Sequence, residues 1–361
     1  MTADPADIIR DEVRAMQIYF VPTPAGMVKL DAMENPYRLP ERLRREIAEV
    51  VANAELNRYP DPSAPGLHAR LRKVMAIPDG YDVLLGNGSD EIIHIMIQAV
   101  AKPGTAIMAP SPTFVMYGVY AKLCGVRYVS VPLEADFTLN VERFLQAMAE
   151  HRPAIVFLPY PNNPTGNLFS ERAIERILAA APGLVVLDEA YHVFARKSFM
   201  DRLDEFRNMV VLRTFSKLGL AGIRLGYVVG RPEWIRELDK VRGPYNVNTL
   251  TQLVGEKMLE HIGVFEEQAA RIRAERERLA ARLRALPGVV PYPSDANFIL
   301  ARVPDARRAG AVLKERRVLI REFPGHPMLN DFLRPTVGTP EENEQLLDGL
   351  RAALAQTSAP A

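Results

Sequence analysis

Between Asp82 and Val241 the chain repeats one pattern, a short apolar run with no polar face followed by a stretch whose apolar residues recur every three to four positions. The runs are 83–85, 106–109, 128–132, 154–158, 184–187, 209–213 and 224–229, all rich in Val, Ile and Leu. A strand that covers a core on one side alternates apolar and polar residues. A strand apolar on both sides must be covered by helices on both, which is the situation in a mostly parallel sheet. The intervening stretches, 90–100, roughly 113–123, 141–150, 170–180 and 232–241, supply those helices. The expected fold class is therefore α/β, a large domain with a mostly parallel seven-stranded sheet.

After Gly243-Pro244 the texture changes to a long charged amphipathic stretch, roughly 250–286, whose Glu and Arg residues read as a solvated helix face. Shorter elements follow at 297–302, 306–316, 318–323, 331–337 and 341–354, and describe a second, smaller α/β domain. The expected division is 1–33 as a segment without a sheet of its own, packed on the small domain or on a partner subunit, 34–245 as the large domain and 246–361 as the small one.

Composition excludes several classes of function. With 45 basic and 44 acidic residues the net charge is +1, which gives no footprint for nucleic acid or an anionic membrane. Cys124 is the only cysteine, so neither an intramolecular disulfide nor a Cys-rich metal site is available, and it reads as a structural thiol. The first residues lack the apolar core of a signal peptide, and no stretch is long and apolar enough to span a membrane. A cytoplasmic protein with no metal centre is expected.

Four segments carry chemistry. In Arg213-Thr-Phe-Ser-Lys-Leu-Gly-Leu-Ala-Gly-Ile-Arg-Leu-Gly-Tyr227, Lys217 follows a buried strand, and three glycines and Arg224 lie in the stretch that leads into and opens the next one. An ammonium withdrawn from water must be paired or lose its proton, which suits a lysine to Schiff-base chemistry. Ser216 and Arg224 bracket it and could hold an anion. Alone, a Ser-Lys pair reads as a surface lysine at a strand end. Gly86-Asn87-Gly88-Ser89-Asp90-Glu91 opens a helix, where free N–H groups and the helix dipole favour an anion; alone, Ser89 or Asp90 reads as an N-cap. Asp188 ends a buried strand in Asp188-Glu189-Ala190-Tyr191, a position that lines the crevice of an open α/β sheet. Asn163-Pro164-Thr165-Gly166 also follows a strand and alone reads as a turn.

Taken together, in this order and separation, these segments resemble the fold-type I aminotransferases over nearly the whole chain. The resemblance implies pyridoxal 5′-phosphate (PLP), held as a Schiff base on Lys217, the catalytic residue. It implies Asp188 on the pyridine nitrogen, Asn163 and Tyr191 on the phenolic oxygen, and Tyr117 stacked on the ring. The phosphate would be held by Ser216, Arg224 and the backbone N–H groups of Ser89 and Asp90, and by Tyr59 reaching the neighbouring subunit of a homodimer.

More narrowly, Leu30-Asp-Ala-Met-Glu-Asn-Pro-Tyr37, Arg58-Tyr-Pro-Asp61 and Leu333-Arg-Pro-Thr-Val-Gly-Thr-Pro-Glu-Glu-Asn343 resemble the histidinol-phosphate aminotransferases. That resemblance implies histidinol phosphate and glutamate/2-oxoglutarate as substrates, an anion clamp from Arg334 and Arg321, and substrate contacts from Tyr19 and Asn35. The chain departs from the family at Met33, where members often carry Asn, which bears on a polar contact there and not on the cofactor chemistry. Aromatic amino-acid aminotransferases and threonine-phosphate decarboxylases share the core motifs and remain alternatives. A PLP-binding regulator would need a DNA-binding domain ahead of Asn35-Pro36, for which the sequence leaves no room.

Overall fold

The computed structural model describes residues 3–18 and 21–355. Seven strands form the larger sheet: Asp82–Asn87 (β2), Ala106–Ser111 (β3), Arg127–Pro132 (β4), Ile155–Pro159 (β5), Leu184–Asp188 (β6), Met209–Thr214 (β7) and Leu225–Gly230 (β8). Val28–Leu30 (β1) belongs to the second sheet. The order is β2-β8-β7-β6-β5-β3-β4; β8 is antiparallel to both its neighbours and the other pairs are parallel. Every residue of β5, β6, β7 and β8 is buried, as a sheet covered on both faces requires. Arg127–Pro132 differs from the expectation of an all-apolar run. It is an edge strand, and Arg127, Ser130 and Pro132 are exposed on it.

This topology places the chemistry. β2, β3, β5, β6 and β7 run the same way, so their C-terminal ends share one edge, and the reversed β8 begins there. The loops carrying Gly88, Phe114, Asn163, Tyr191, Lys217 and Arg224 therefore converge. The edge is braced by Glu189, directly after β6. Its fully buried carboxylate accepts from Arg213 Nε (3.0 Å) and Nη2 (2.8 Å), Ser198 Oγ (2.8 Å) and Phe199 N (2.6 Å).

The smaller sheet adds Val290–Pro291 (β9), Ala301–Arg302 (β10), Val318–Glu322 (β11) and Phe332–Arg334 (β12), in the order β1-β11-β12-β10-β9. The N-terminal segment, expected to have no sheet of its own, adds one strand to the small sheet. β1 pairs in parallel with β11, Val28 to Val318 and Leu30 to Ile320, and Leu30 is buried in the small-sheet core. The expected single long helix is two, Thr249–Leu259 and Ile262–Arg284. The first buries Val254, Met258 and Leu259 in the large-sheet core, and the second turns Ile272, Leu279 and Leu283 into the small-sheet core. The second helix also reaches the large-sheet core at its start, through Phe265, and the two helices meet at His261, whose Nε2 lies 2.6 Å from Glu46 Oε2. Among the described residues, no helix is long and apolar enough to cross a membrane.

Glu189→Ala leaves the Arg213 guanidinium buried without its counter-charge. A loss of about 3–5 kcal/mol of unfolding free energy is expected in a denaturant titration; a loss below about 1 kcal/mol would rule out the bracing role.

Candidate active site

Lys217 lies in the tight turn that follows β7. Its Nζ donates to the carbonyl of Ala32 at 2.9 Å, on the segment leaving β1, so the lysine joins the two sheets. Burial, aided by the Arg334 guanidinium, lowers the amine to about 8, where an appreciable fraction is neutral and nucleophilic. The turn passes through Gly219 at φ +133°, a conformation that excludes a side chain. Asn35 secures it: Nδ2 donates to Leu218 O (3.0 Å) and Gln268 Oε1 (2.9 Å), and Oδ1 accepts from Tyr37 N (2.9 Å). Asn35 was expected either to border the substrate or to make a turn before Pro36; its Oδ1 makes that turn with Tyr37 N, and its Nδ2 holds the lysine turn.

Asp188 ends β6. Oδ1 accepts from Ala190 N (3.1 Å) and Oδ2 from the Tyr117 hydroxyl (2.6 Å). Burial raises its carboxyl to about 6, although both hydrogen bonds act the other way. No cationic side chain pairs with it among the described residues. The expectation that Tyr117 stacks on a bound ring is corrected here. Its own ring is fully buried, stacked on Phe157 (centroids 4.4 Å apart), and its hydroxyl is spent on Asp188. Phe114, edge-on to Tyr117 at 5.6 Å, is the aromatic that reaches the cavity wall. The sequence reading missed it, although Pro112-Thr113-Phe114 directly follows β3. Asn162, also missed, fixes that loop: Oδ1 accepts from Thr113 Oγ1 (2.8 Å) and Nδ2 donates to Pro112 O (3.0 Å).

Beyond β2 the Ser89–Val100 helix starts with Gly88 as its N-cap, not Ser89 or Asp90, and no side chain caps it. Arg224 lies over this start, Nη1 donating to Ser216 Oγ (3.2 Å) and Nη2 to Asp90 Oδ2 (3.3 Å). A Cβ on Gly88 would meet Arg224 Nη2 at 2.5 Å, so glycine is what lets the guanidinium approach. Uncapped N–H groups, a guanidinium and a serine hydroxyl together suit a phosphate.

A cavity of about 240 Å³ opens beside these groups, lined by Asp31, Thr113, Asn163, Arg321, His326 and Arg334 among others. Arg321 on β11 and Arg334 on β12 are direct cross-strand partners. Arg334 is only 5% exposed; it donates to Asn163 Oδ1 and, at 2.8 Å, to Asp31 O, and its guanidinium lies 5.2 Å from the Phe298 ring centroid. With Oδ1 held by Arg334, the Asn163 amide keeps its N–H₂ as the group to offer a ligand. Tyr191 is buried against Phe298, its ring centroid 5.9 Å from Lys217 Nζ. Tyr59 does not join the site within one chain; it is 79% exposed and stacked on Tyr245 at 4.5 Å. Tyr19 lies outside the described residues. A second cavity, of about 300 Å³ beside His68, Arg72 and Tyr245, contains none of the site residues.

The groups present fit the cofactor that the motifs imply. There is an anion cradle for a phosphate, a low-pKa amine for an aldehyde, and an unpaired buried carboxylate for a protonated ring nitrogen. In cofactor-free protein, amine labelling at Lys217 is expected to rise with pH through about 8. Arg334→Gln, which removes the neighbouring positive charge, should move that midpoint upward. Peptide mapping of the label at a series of pH values measures both, and an unmoved midpoint would dismiss Arg334 as a contributor.

Residues 25–350 match the profile of the family described as aminotransferase class I and II. The chain is 56% identical over 353 residues to histidinol-phosphate aminotransferase 2 of Cupriavidus pinatubonensis, covering 96% of each chain. Its fold is similar to that of the histidinol-phosphate aminotransferase from Sinorhizobium meliloti, solved in complex with pyridoxal-5′-phosphate. The TM-score is 0.85 at 23% identity, covering 96% of this chain and 98% of that one. It is also similar to the L-threonine-O-3-phosphate decarboxylase from Porphyromonas gingivalis, with TM-score 0.78 at 22% identity over 91% of this chain and 100% of that one. Fold similarity at this level is thus shared by enzymes of different reactions. The family assignment rests on the match along the chain: this protein belongs to the class I and II aminotransferases.

Proposed function

We propose that this aminotransferase uses PLP to convert L-histidinol phosphate and 2-oxoglutarate to imidazole acetol phosphate and L-glutamate, a step of histidine biosynthesis. The observation that carries the substrate reading is the Arg321–Arg334 pair. Like charges directly opposite across a strand pair are destabilising unless an anion lies between them. Both arginines line the cavity beside Asn163, and both amino substrates of the reaction bring an anion there, a phosphate in one half-reaction and a carboxylate in the other. The 56% identity to a named histidinol-phosphate aminotransferase supports the same reading.

When bound, PLP supplies a ring that accommodates the electron pair left as a proton departs from the substrate carbon bearing nitrogen. The rest falls to this chain. The Lys217 amine, already below the ordinary lysine range, would take that proton at Nζ and hold it for return. Asp188 keeps a proton on the ring nitrogen; a positive charge beside it returns its carboxyl from about 6 toward the ionised form. Asn163 and Tyr191 hydrogen-bond the phenolic oxygen, while Ser216, Arg224 and the Ser89-Asp90 N–H groups hold the phosphate. Phe114, on the cavity wall, would pack against the bound ring.

The working unit in this reading is a cytoplasmic homodimer. Tyr59, Leu56 and Tyr245 are large apolar side chains left exposed on one chain, and Tyr59 serves the partner's phosphate site.

The test is glutamate formation by purified protein from histidinol phosphate and 2-oxoglutarate. Carbon dioxide released from threonine phosphate, with no glutamate formed, would replace this reading with a decarboxylase. Lys217→Ala is expected to lose at least about a thousandfold in kcat while retaining wild-type circular dichroism, because no other group is placed to move the proton. Near wild-type turnover in that variant would refute the role of Lys217.

A further inference from the structure

His326 belongs to none of the motifs that mark the site, yet it lines the same cavity as Arg321 and Arg334, in the loop joining β11 to β12. The loop is closed by its own hydrogen bonds: His326 N to Phe323 O (3.2 Å), Leu329 N to His326 O (3.2 Å) and Gly325 N to Asn330 Oδ1 (3.1 Å). Leu329 is buried and anchors it. Within this frame the ring is fixed as well, because Met328 N donates to Nδ1 at 3.2 Å. An imidazole accepting at Nδ1 carries its proton on Nε2. Nε2 has no hydrogen-bond partner among the described residues. Burial holds the ring below the ordinary histidine range, so at neutral pH it is an uncharged donor in the cavity that also holds the two guanidinium groups.

We propose that His326 is a specificity-determining residue whose Nε2–H binds the substrate's phosphate and distinguishes it from a carboxylate in the same cavity. A carboxylate is planar and has two oxygens, which two guanidinium groups can satisfy. A phosphate monoester is tetrahedral and has a third terminal oxygen, out of that plane, which needs another donor. A neutral donor serves this oxygen without adding to the positive charge that already lowers Lys217. Glutamate would gain nothing from it, so the contact favours the phosphorylated amine alone.

The inference rests on the proposed reaction for its natural substrate, and the test separates the two. Two variants of the holoenzyme divide the ring's roles: His326→Asn keeps an acceptor where Nδ1 is and loses the far donor, and His326→Gln restores a donor near Nε2. His326→Asn is expected to raise KM for histidinol phosphate about tenfold with kcat and the KM for glutamate unchanged, and His326→Gln to recover most of that loss. Inorganic phosphate and glutarate, as competitive inhibitors of glutamate deamination, give the same comparison without histidinol phosphate: only the phosphate inhibition constant should rise in His326→Asn. Equal weakening of both anions, or of neither, overturns the role of His326. Wild-type protein that fails to turn over histidinol phosphate but shows the inhibitor pattern would overturn the reaction and leave His326 as a phosphate selector.

Discussion

The Lys217 amine lies within the field of Arg334, one of two guanidinium groups that line the adjoining cavity, and repulsion between like charges governs what the site can do. Lys217 loses affinity for its proton through burial and through Arg334, and Arg321 stands directly across the strand pair from Arg334. Such a cluster is tolerated because the fold holds it from outside. Asn163 and the Asp31 carbonyl fix Arg334, and the Ala32 carbonyl receives the lysine. These are neutral acceptors. They orient the cations without neutralising them, so the charge stays available to an incoming anion and the amine stays easy to deprotonate.

The two carboxylates in Asp188-Glu189 show the opposite treatment side by side. Glu189 receives a full set of donors, including both arms of Arg213, and its charge is consumed in holding β6, β7 and the following loop together. Asp188 receives only two neutral donors, and burial lifts its carboxyl to about 6. A buried carboxylate without a cation is costly, and a protonated ring nitrogen relieves that cost. Tyr117 fits the same logic. Its hydroxyl orients the carboxylate but brings no charge, so the demand for a cation remains.

Most of the large sheet was legible in the sequence because burial on both faces erases alternation, and Asn163, Asp188 and Lys217 followed from where the runs stopped. What escaped the reading depends on contacts distant in the chain. β1 is three residues long and has meaning only beside β11, which follows it by most of the chain's length. The break at His261 leaves no mark in the sequence, whose helical period runs on without a stop. Tyr117 and Phe114 lie close together in the chain, and only the packing of Tyr117 on Phe157 decides which one reaches the cavity. Asn35 fell to the same cause, since its partners Leu218 and Gln268 are remote in sequence.

Met33 sharpens the point. Its backbone takes φ +54°, in the left-handed region that costs an ordinary side chain about 1–2 kcal/mol and that asparagine tolerates better. The backbone is held there by Met33 N donating to Thr336 Oγ1 (2.9 Å) and by Asn297 Nδ2 donating to Met33 O (2.9 Å). An asparagine at this position would tolerate the conformation better, so the departure at Met33 bears on backbone strain. Methionine bears the strain and recovers part of it by burying its thioether in the small-sheet core. The strained residue directly follows Ala32, whose carbonyl receives Lys217. Strain, core packing and the position of the reactive amine are therefore coupled within two residues.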